Sequence, residues 1–458
     1  MLVSDWSAPV AHGRFVALPS RITASPTLHS AAAYSSPTFR PLRYAVLGAG
    51  FAGLSVVWHL LKHSPKGSNL RIDIFDEVGI GGGASGVSGG LLHPYSPKVK
   101  LLWRGAECWK ECLMLLSIAE MSALSKESNS ELGGSGQCFD SFIVRRRGIL
   151  RPATSMKNLS VLLDNAQNCD ASCRIEIIDK ETAQELVPNI CLPFNSAFYM
   201  PQAVNVHPLQ YLQALFLACK NLVKELSDSS HGLKELYLHK KSVQKLVELE
   251  GDYDAVIICL GAKADMLPEL SGRLPLRTCR GVIAHLHLPG NSSVKLEGLG
   301  PGHLSTSYNE IACELWHYRY VELVIRLFLG LSDWSLQVPV SGIALAFTTI
   351  DEASKALDEL LPKVSAFYPG IKDWTFTGAK AGLRAMPPLT PQGSLPLLGC
   401  VNDFVGDNCT CKFWFFGGLG SRGLLYHAWL GNLMAQAVLS CNEELIPAEL
   451  TSWKNINR

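Results

Sequence analysis

Apolar residues along this chain fall into short blocks whose period changes from place to place. Residues 44–47 form a short apolar run that stops at Gly48. Residues 54–62 have helical character, and Arg71-Ile-Asp-Ile-Phe75 reads as the next strand, ending at Asp76. Far downstream, residues 351–361 place apolar positions at helical spacing, the pattern of an amphipathic helix. One long stretch resists this reading. Residues 291–347 show no clean alternation, and residues 311–328 are neither a tidy strand nor a well-capped helix. An inserted or mis-translated segment, such as a retained intron, is expected there, with a lineage-specific loop as the alternative.

Composition narrows the class. The 458 residues carry 41 basic and 40 acidic side chains, a net charge of +1, with 47% apolar residues. That is enough for a sizeable core and too balanced to hold a phosphate backbone, so nucleic acid is not an expected partner. The most apolar stretch, residues 321–347, contains Glu322, Arg326, Asp333 and Pro339, so no membrane span is expected. The fourteen cysteines are scattered without a CxxC pair. Cys108 and Cys112 are four apart on an expected helix, yet no second pair lies near to complete a zinc site, and no metal is expected.

Residues 1–43 differ from the rest. They hold seven Ser, three Thr, seven Ala and four Arg, with Asp5 the only acid. A hydroxylated, arginine-containing and acid-poor leader is the pattern of an organelle transit peptide, plastid rather than mitochondrion. The alternatives are a mitochondrial protein, a disordered tail and a cytoplasmic protein. Setting those residues aside leaves 37 basic against 39 acidic side chains, a net charge of −2.

The turn after the first strand carries the first chemical signal. Gly48-x-Gly50-x-x-Gly53 stands between a strand and a helix, where glycines permit a tight turn, backbone approach to a pyrophosphate, and close packing of helix on strand. The helix N-terminus then offers free N–H groups to phosphate. Asp76, 28 positions after Gly48, is placed to accept from the ribose hydroxyls. A second glycine-rich turn, Gly81 to Gly90, follows directly. Its small side chains suit a long buried cofactor better than a nicotinamide.

Together these residues resemble the D-amino-acid oxidase-like FAD-dependent oxidoreductases, which include glycine and sarcosine oxidases. Three later segments are similar to the same family. They are residues 254–262 with Gly261, the run Gly382-Leu-Arg384 followed by residues 390–399, and Gly417-Gly-Leu-Gly420-Ser-Arg-Gly423. The wording of the glycine turns is closest to the FAD domain of a bacterial bifunctional enzyme that matures tRNA wobble uridine, and to plant relatives of unassigned activity.

The resemblance implies an α/β protein in two lobes. One is a doubly wound, Rossmann-like FAD lobe from about residues 44–100, 200–275 and 375–440. The other is an antiparallel-sheet substrate lobe from about 101–199 and 276–374, with a C-terminal tail at 441–458. It implies noncovalent FAD, since the segment after Arg384 lacks the thiol that tethers flavin in some members. The implied cofactor contacts are Gly48, Gly50, Phe51, Ala52, Gly53, Asp76, Ala84, Ser85, Gly86, Gly89, Gly90, Leu91, Val243, Gly261, Gly418, Gly420, Ser421, Arg422 and Gly423. Val243 stands where a helper strand would touch adenine, although the stretch at 246–251 is short for that sheet. Arg384 is the implied partner of a substrate carboxylate, and Arg422 of the flavin pyrimidine. His93 and Tyr95 either approach the flavin or close a packed strand end; Tyr199 and His207 are expected to be structural. The implied reaction removes a hydride from a carbon beside an amine nitrogen of a small amine or amino acid, with electrons passing to dioxygen or another acceptor. The alternatives are oxidation of the wobble-uridine carboxymethylaminomethyl group and a flavin-binding plastid factor without activity.

Overall fold

A computed structural model describes residues 40–130, 143–228, 232–287, 350–406 and 410–455. These all belong to one compact unit, Arg40–Arg458. Residues 1–39 and the atypical segment 291–347 lie outside the described residues.

The strand read at residue 44 is β1 (Leu42–Leu47), and its helix is α1 (Phe51–His63). Burial covers Phe51 through Leu61, so α1 runs through the interior rather than over the surface. Lys62 and His63 in its last turn suit the negative end of the helix dipole. Next come β2 (Leu70–Phe75), β3 (Leu91–Leu92), α2 (Gly105–Ser130), β4 (Val144–Arg145), β5 (Ile149–Pro152) and α3 (Met156–Ala166). Then follow β6 (Glu176–Asp179), α4 (Lys180–Leu186), β7 (Ser196–Met200), β8 (Val204–Val206), α5 (Pro208–Asp228), β9 (Lys234–His239) and β10 (Ala255–Ile258). The C-terminal half contributes β11 (Arg277–His287), α6 (Ile350–Ser365), β12 (Thr375–Met386), β13 (Leu389–Thr390), β14 (Gly393–Ser394), β15 (Leu397–Cys400), β16 (Lys412–Gly417) and α7 (Gly423–Ser440).

Six strands form the main sheet in the order β15-β16-β10-β1-β2-β9. All neighbours are parallel except β15, which returns antiparallel along β16. Strand alternation sorts the two faces. Tyr44 and Val46 join the core with α1, α2, α5 and α7, while Ala45 and Leu47 join a second cluster with Val256, Phe413 and Phe415. That second face is covered by short 3₁₀ turns and by Trp453, whose indole N–H donates to Leu398 O at 2.9 Å. Residues 441–455, set apart above as part of a tail, therefore pack back on the sheet.

The helper strand expected around Val243 does not form. Residues 241–245 carry no regular structure and lead into a 3₁₀ turn, Leu246–Leu249. Five of the six residues 240–245 are polar, so a strand there would have no apolar face to bury. Val243 packs instead, half-buried, against the second core cluster.

The second lobe holds antiparallel pieces. β7 pairs with β5 and β6, and β8 pairs with β3 and β4. β11 and β12 form a long two-stranded ribbon with one register shift at His285/Leu286. α6 packs its apolar face on this ribbon, and Glu352 on α6 holds Arg280 of β11 through two hydrogen bonds of 2.5 and 3.0 Å. Among the described residues, no helix is long and apolar enough to cross a membrane.

Candidate functional site

The turn at the head of α1 is fixed by lack of room. Gly48 has φ +106°, which disfavours any side chain, and a Cβ on Gly53 would lie 1.9 Å from Gly48 O. Phe51 N donates to Ser85 Oγ at 3.1 Å, so the hydroxyl of the second glycine turn caps the helix from outside it. Ala52 and Gly53, the next first-turn residues, have N–H groups with no intrahelical acceptor. Asp76 braces the same turn. Its Oδ2 accepts from Ala49 N at 2.9 Å, and its Oδ1 accepts from Val78 N and Gly79 N at 3.0 and 2.8 Å. Three of roughly four carboxylate lone-pair sites are then used within the protein.

The turn bearing Ala84, Ser85, Gly86, Gly89, Gly90 and Leu91 lies against α1 and is touched by both lobes. Gly81 N donates to Ala49 O at 3.0 Å, and Gly90 O accepts from Val206 N at 2.7 Å. Ser88 Oγ, inside this turn, is buried without a hydrogen-bond partner among the described residues. From the other direction β12 arrives at Gly382, where a Cβ would lie 2.9 Å from Ala84 Cα and 2.6 Å from a methyl of Val87.

Arg384 stands two residues further along β12, on the same face as Gly382. Its guanidinium lies over Gly281 of β11, where a Cβ would sit 3.3 Å from Nε and from Nη2. Nη2 donates to Cys279 Sγ at 3.6 Å, whereas Nε is buried without a partner. No carboxylate among the described residues pairs with it. An arginine whose only hydrogen-bond acceptor among the described residues is a thiol retains most of its donors for an anion.

The third glycine turn closes beside this strand: Gly420 N donates to Ala385 O at 2.9 Å, next to Met386 and Pro387. Arg422 is the residue before α7, and its carbonyl accepts from Leu425 N and Tyr426 N, both at 3.0 Å. Burial lowers the Arg422 pKa. Arg151 of β5 is 3% exposed, and burial together with the charge of Arg422 brings its pKa down to about 10. His93 feels both arginines; burial first, then those charges, hold it neutral well below the usual imidazole range. The site is thus positive at its end nearest α7, with His93 uncharged. Gly418 and Gly423 lie in the same turn, and the Ser421 side chain is exposed. Gly261 follows β10 at φ +58° with open space beside it.

His93 and Tyr95 are packed inside: Tyr95 is fully buried and its hydroxyl donates to Cys173 O. Tyr199 donates to Arg147 O at 3.1 Å, and His207 Nδ1 accepts from Gln210 N at 3.3 Å, both structural duties. Sequence reasoning passed over Ser88, Gly281, Arg151 and Asn205. Only Asn205 had a visible signal, a polar residue between two valines. Among the described residues no group of three His, Cys, Asp or Glu is arranged to hold a metal. Cys112 is buried, and its Sγ donates to Leu424 O at 3.0 Å.

The turn kept bare of side chains at Gly48, Gly50 and Gly53, the free first-turn N–H groups of Ala52 and Gly53 and the orphaned Ser88 hydroxyl fit an FAD laid from α1 toward the Ala84–Leu91 turn. Comparisons with known proteins agree. The family profile described as DAO, FAD dependent oxidoreductase, matches residues 43–437. A Rhizobium etli protein named as the thiamine biosynthesis oxidoreductase ThiO is 26% identical over 248 residues, 52% of this chain and 59% of its own length. This chain therefore spans about three-fifths of the curated relative it matches. Among solved structures, glycine oxidase from Geobacillus kaustophilus superposes with a TM-score of 0.53 at 17% identity, covering 88% of this chain and 96% of that one. L-proline dehydrogenase from P. horikoshii gives 0.58 at 13%, covering 91% and 98%. At such identities the likeness is one of fold.

Proposed function

We propose that this chain, which belongs to the FAD-dependent oxidoreductase (DAO) family, oxidises a CH–NH bond of a small amino acid or secondary amine. The observation that carries this reading is Arg384. It faces the cofactor turn across Gly382, lies over Gly281, and leaves Nε buried and unmet. A substrate carboxylate would satisfy that fork and hold the neighbouring carbon at the turn. The names of the relatives, ThiO, glycine oxidase and L-proline dehydrogenase, support an amine or amino acid as the substrate class.

Bound FAD supplies the two-electron acceptor for a hydride leaving a carbon that bears nitrogen. The Gly48–Gly53 turn and α1 would hold its pyrophosphate, Asp76 would accept from ribose with its remaining lone pair, and the Ala84–Leu91 turn would take the ring end. Arg384 would fix the substrate through its carboxylate. Arg422, at the N-terminal end of α7, would lend positive charge where negative charge grows during reduction. His93, held neutral, adds none. Release of a hydride from a neutral amine needs no strong base beside Arg384, and the imine then hydrolyses. Dioxygen or another acceptor would take the electrons, and the composition of residues 1–43 supports import into a plastid.

The test is direct. The protein refolded with FAD and freed of excess cofactor is expected to show flavin absorbance. Anaerobic mixing with a panel of small amino acids and secondary amines is expected to bleach it. Absence of flavin absorbance would sink the cofactor assignment, and a flavin untouched by the whole panel would sink the amine-oxidising reading. A reporter fused behind residues 1–43 that stays in the cytosol would dismiss the plastid destination.

A further inference from the structure

Asn205 occupies the middle of β8, the central strand of the small sheet β3-β8-β4. It lies opposite Leu91 on one neighbour and opposite Arg145 on the other, so these three share a face. The other face carries Leu92, Val144, Val204 and Val206, all buried in the core. Asn205 is itself only 4% exposed, and neither Oδ1 nor Nδ2 has a hydrogen-bond partner among the described residues. Its position relative to the cofactor turn is close. A Cβ on Gly90 would sit 3.3 Å from Asn205 Oδ1, while the φ of Gly90 is +72° and Val206 O would lie 1.9 Å from that same Cβ. Gly90 therefore admits no side chain, and the carboxamide abuts the bare backbone there.

A buried amide with both ends unmet is costly, since each unsatisfied group forfeits its hydration. A leucine of similar size would fill the place without that loss. The amide is complementary to a partner that presents a donor and an acceptor side by side, at the Gly90–Leu91 end of the turn. A flavin ring has such an edge, where a ring N–H lies next to a ring carbonyl. We infer that Asn205 is a cofactor-contacting residue, its Oδ1 accepting from the ring N–H and its Nδ2 donating to the adjacent ring carbonyl. This rests on FAD occupying the turn as described above. An amino-acid substrate also offers donor and acceptor, but its carboxylate has Arg384 on β12, whereas Asn205 touches the cofactor turn itself. Donation to a ring carbonyl favours the reduced, more negative ring, so Asn205 raises the reduction potential as well as the affinity.

The experiment compares wild-type protein with Asn205→Leu and Asn205→Asp in the full chain stripped of cofactor. FAD affinity is read by titration, the visible flavin bands by absorbance, the midpoint potential by anaerobic dye equilibration, and apo-protein melting by circular dichroism. Asn205→Leu is expected to weaken FAD about tenfold or more, move the flavin bands and lower the potential. Its apo form should melt no lower than wild type, because the substitution removes an unmet buried amide. Asn205→Asp keeps the shape and removes the donor; it is expected to weaken FAD in the same direction. Unchanged affinity, bands and potential in both variants, with a lower apo melting temperature, would make Asn205 a structural amide and overturn the inference. Unchanged flavin properties with a raised KM would assign the amide to substrate and overturn it equally. A wild-type chain that takes up no FAD would fail the cofactor assignment first, and the inference with it.

Discussion

Arg384 owes its reach to residues that have no side chains. Gly382 two positions before it and Gly281, which pairs with Gly382 on the facing strand, leave the ribbon face flat, so the guanidinium lies along the strand instead of swinging out to solvent. If it binds a substrate carboxylate through two charge-assisted bonds, Arg384→Met should remove about 1.5–3 kcal/mol of binding. That corresponds to a fall in kcat/KM of roughly tenfold to a hundredfold, with FAD absorbance kept. Arg384→Lys should recover only part of the loss, because a point charge does not replace the fork. Steady-state kinetics on the best amine of the panel checks both, and variants as active as wild type would remove Arg384 from the site. The sequence exposed this residue through its motif context. Asn205 gave only a faint signal by comparison: a lone polar residue in Val204-Asn-Val206 looks like the solvent side of a strand. Only the packing of β8 against Gly90 turns that side inward.

At the scale of elements, α1 is the hinge of the site, because its N-terminus is finished by another segment. Gly50 precedes the helix and cannot cap it with a side chain; Ser85, 34 positions after Phe51, supplies the oxygen. Ser85→Ala should therefore cost about 1 kcal/mol of apo-protein stability, the usual loss of a helix cap. It should also weaken FAD, because the helix head and the second glycine turn lose their tie. Urea midpoints and FAD titration on the same samples check this. An apo stability equal to wild type would show that the contact carries no energy. The first strand–helix unit was legible because its demands are local: a positive φ at Gly48, a missing Cβ on Gly53 beside Gly48 O, and an apolar run of strand length. The strand expected around Val243 was not, since it was borrowed from a resemblance while the local run 240–245 is too polar to bury. The β11–β12 ribbon was read only coarsely, because β12 is separated from β11 by the atypical segment and their pairing is a matter of register.

Across the whole molecule, burial sets the response to acid. His427 on α7 lies fully buried; its Nδ1–H donates to Leu424 O at 2.9 Å, and its Nε2 accepts from Tyr211 at 2.7 Å. Burial brings its pKa down to about 4, from 6.5 in an unfolded chain. Between those values the unfolded state binds the extra proton, so stability is full above about pH 6.5 and falls as the pH drops toward 4. His59, brought down to about 3 chiefly by burial, acts in the same direction. Each such group contributes at most about 1.4 kcal/mol per pH unit. Urea midpoints should therefore fall from pH 7 to pH 5, and His427→Gln should flatten the slope by about one proton. A variant with an unchanged slope would show that His427 does not titrate in this way. The His427 ring lies at the head of α1, its centroid 5.1 Å from that of Phe51. Acid destabilisation should thus release FAD before the ribbon lobe loosens.

The sequence by itself determined the cofactor turn, the helix behind it, the three glycine segments and the family they indicate, because spacing, backbone angle and missing Cβ atoms act over a few residues. Tertiary structure alone decided which groups meet. Parallel pairing brings β1, β10 and β16 together from distant parts of the chain, and with them Gly48 against Cys259. Ribbon register sets Arg384 over Gly281, and the small sheet turns Asn205 onto Gly90. Those contacts depend on how separated strands stack and align, and a one-residue slip would send each of these side chains to the opposite face.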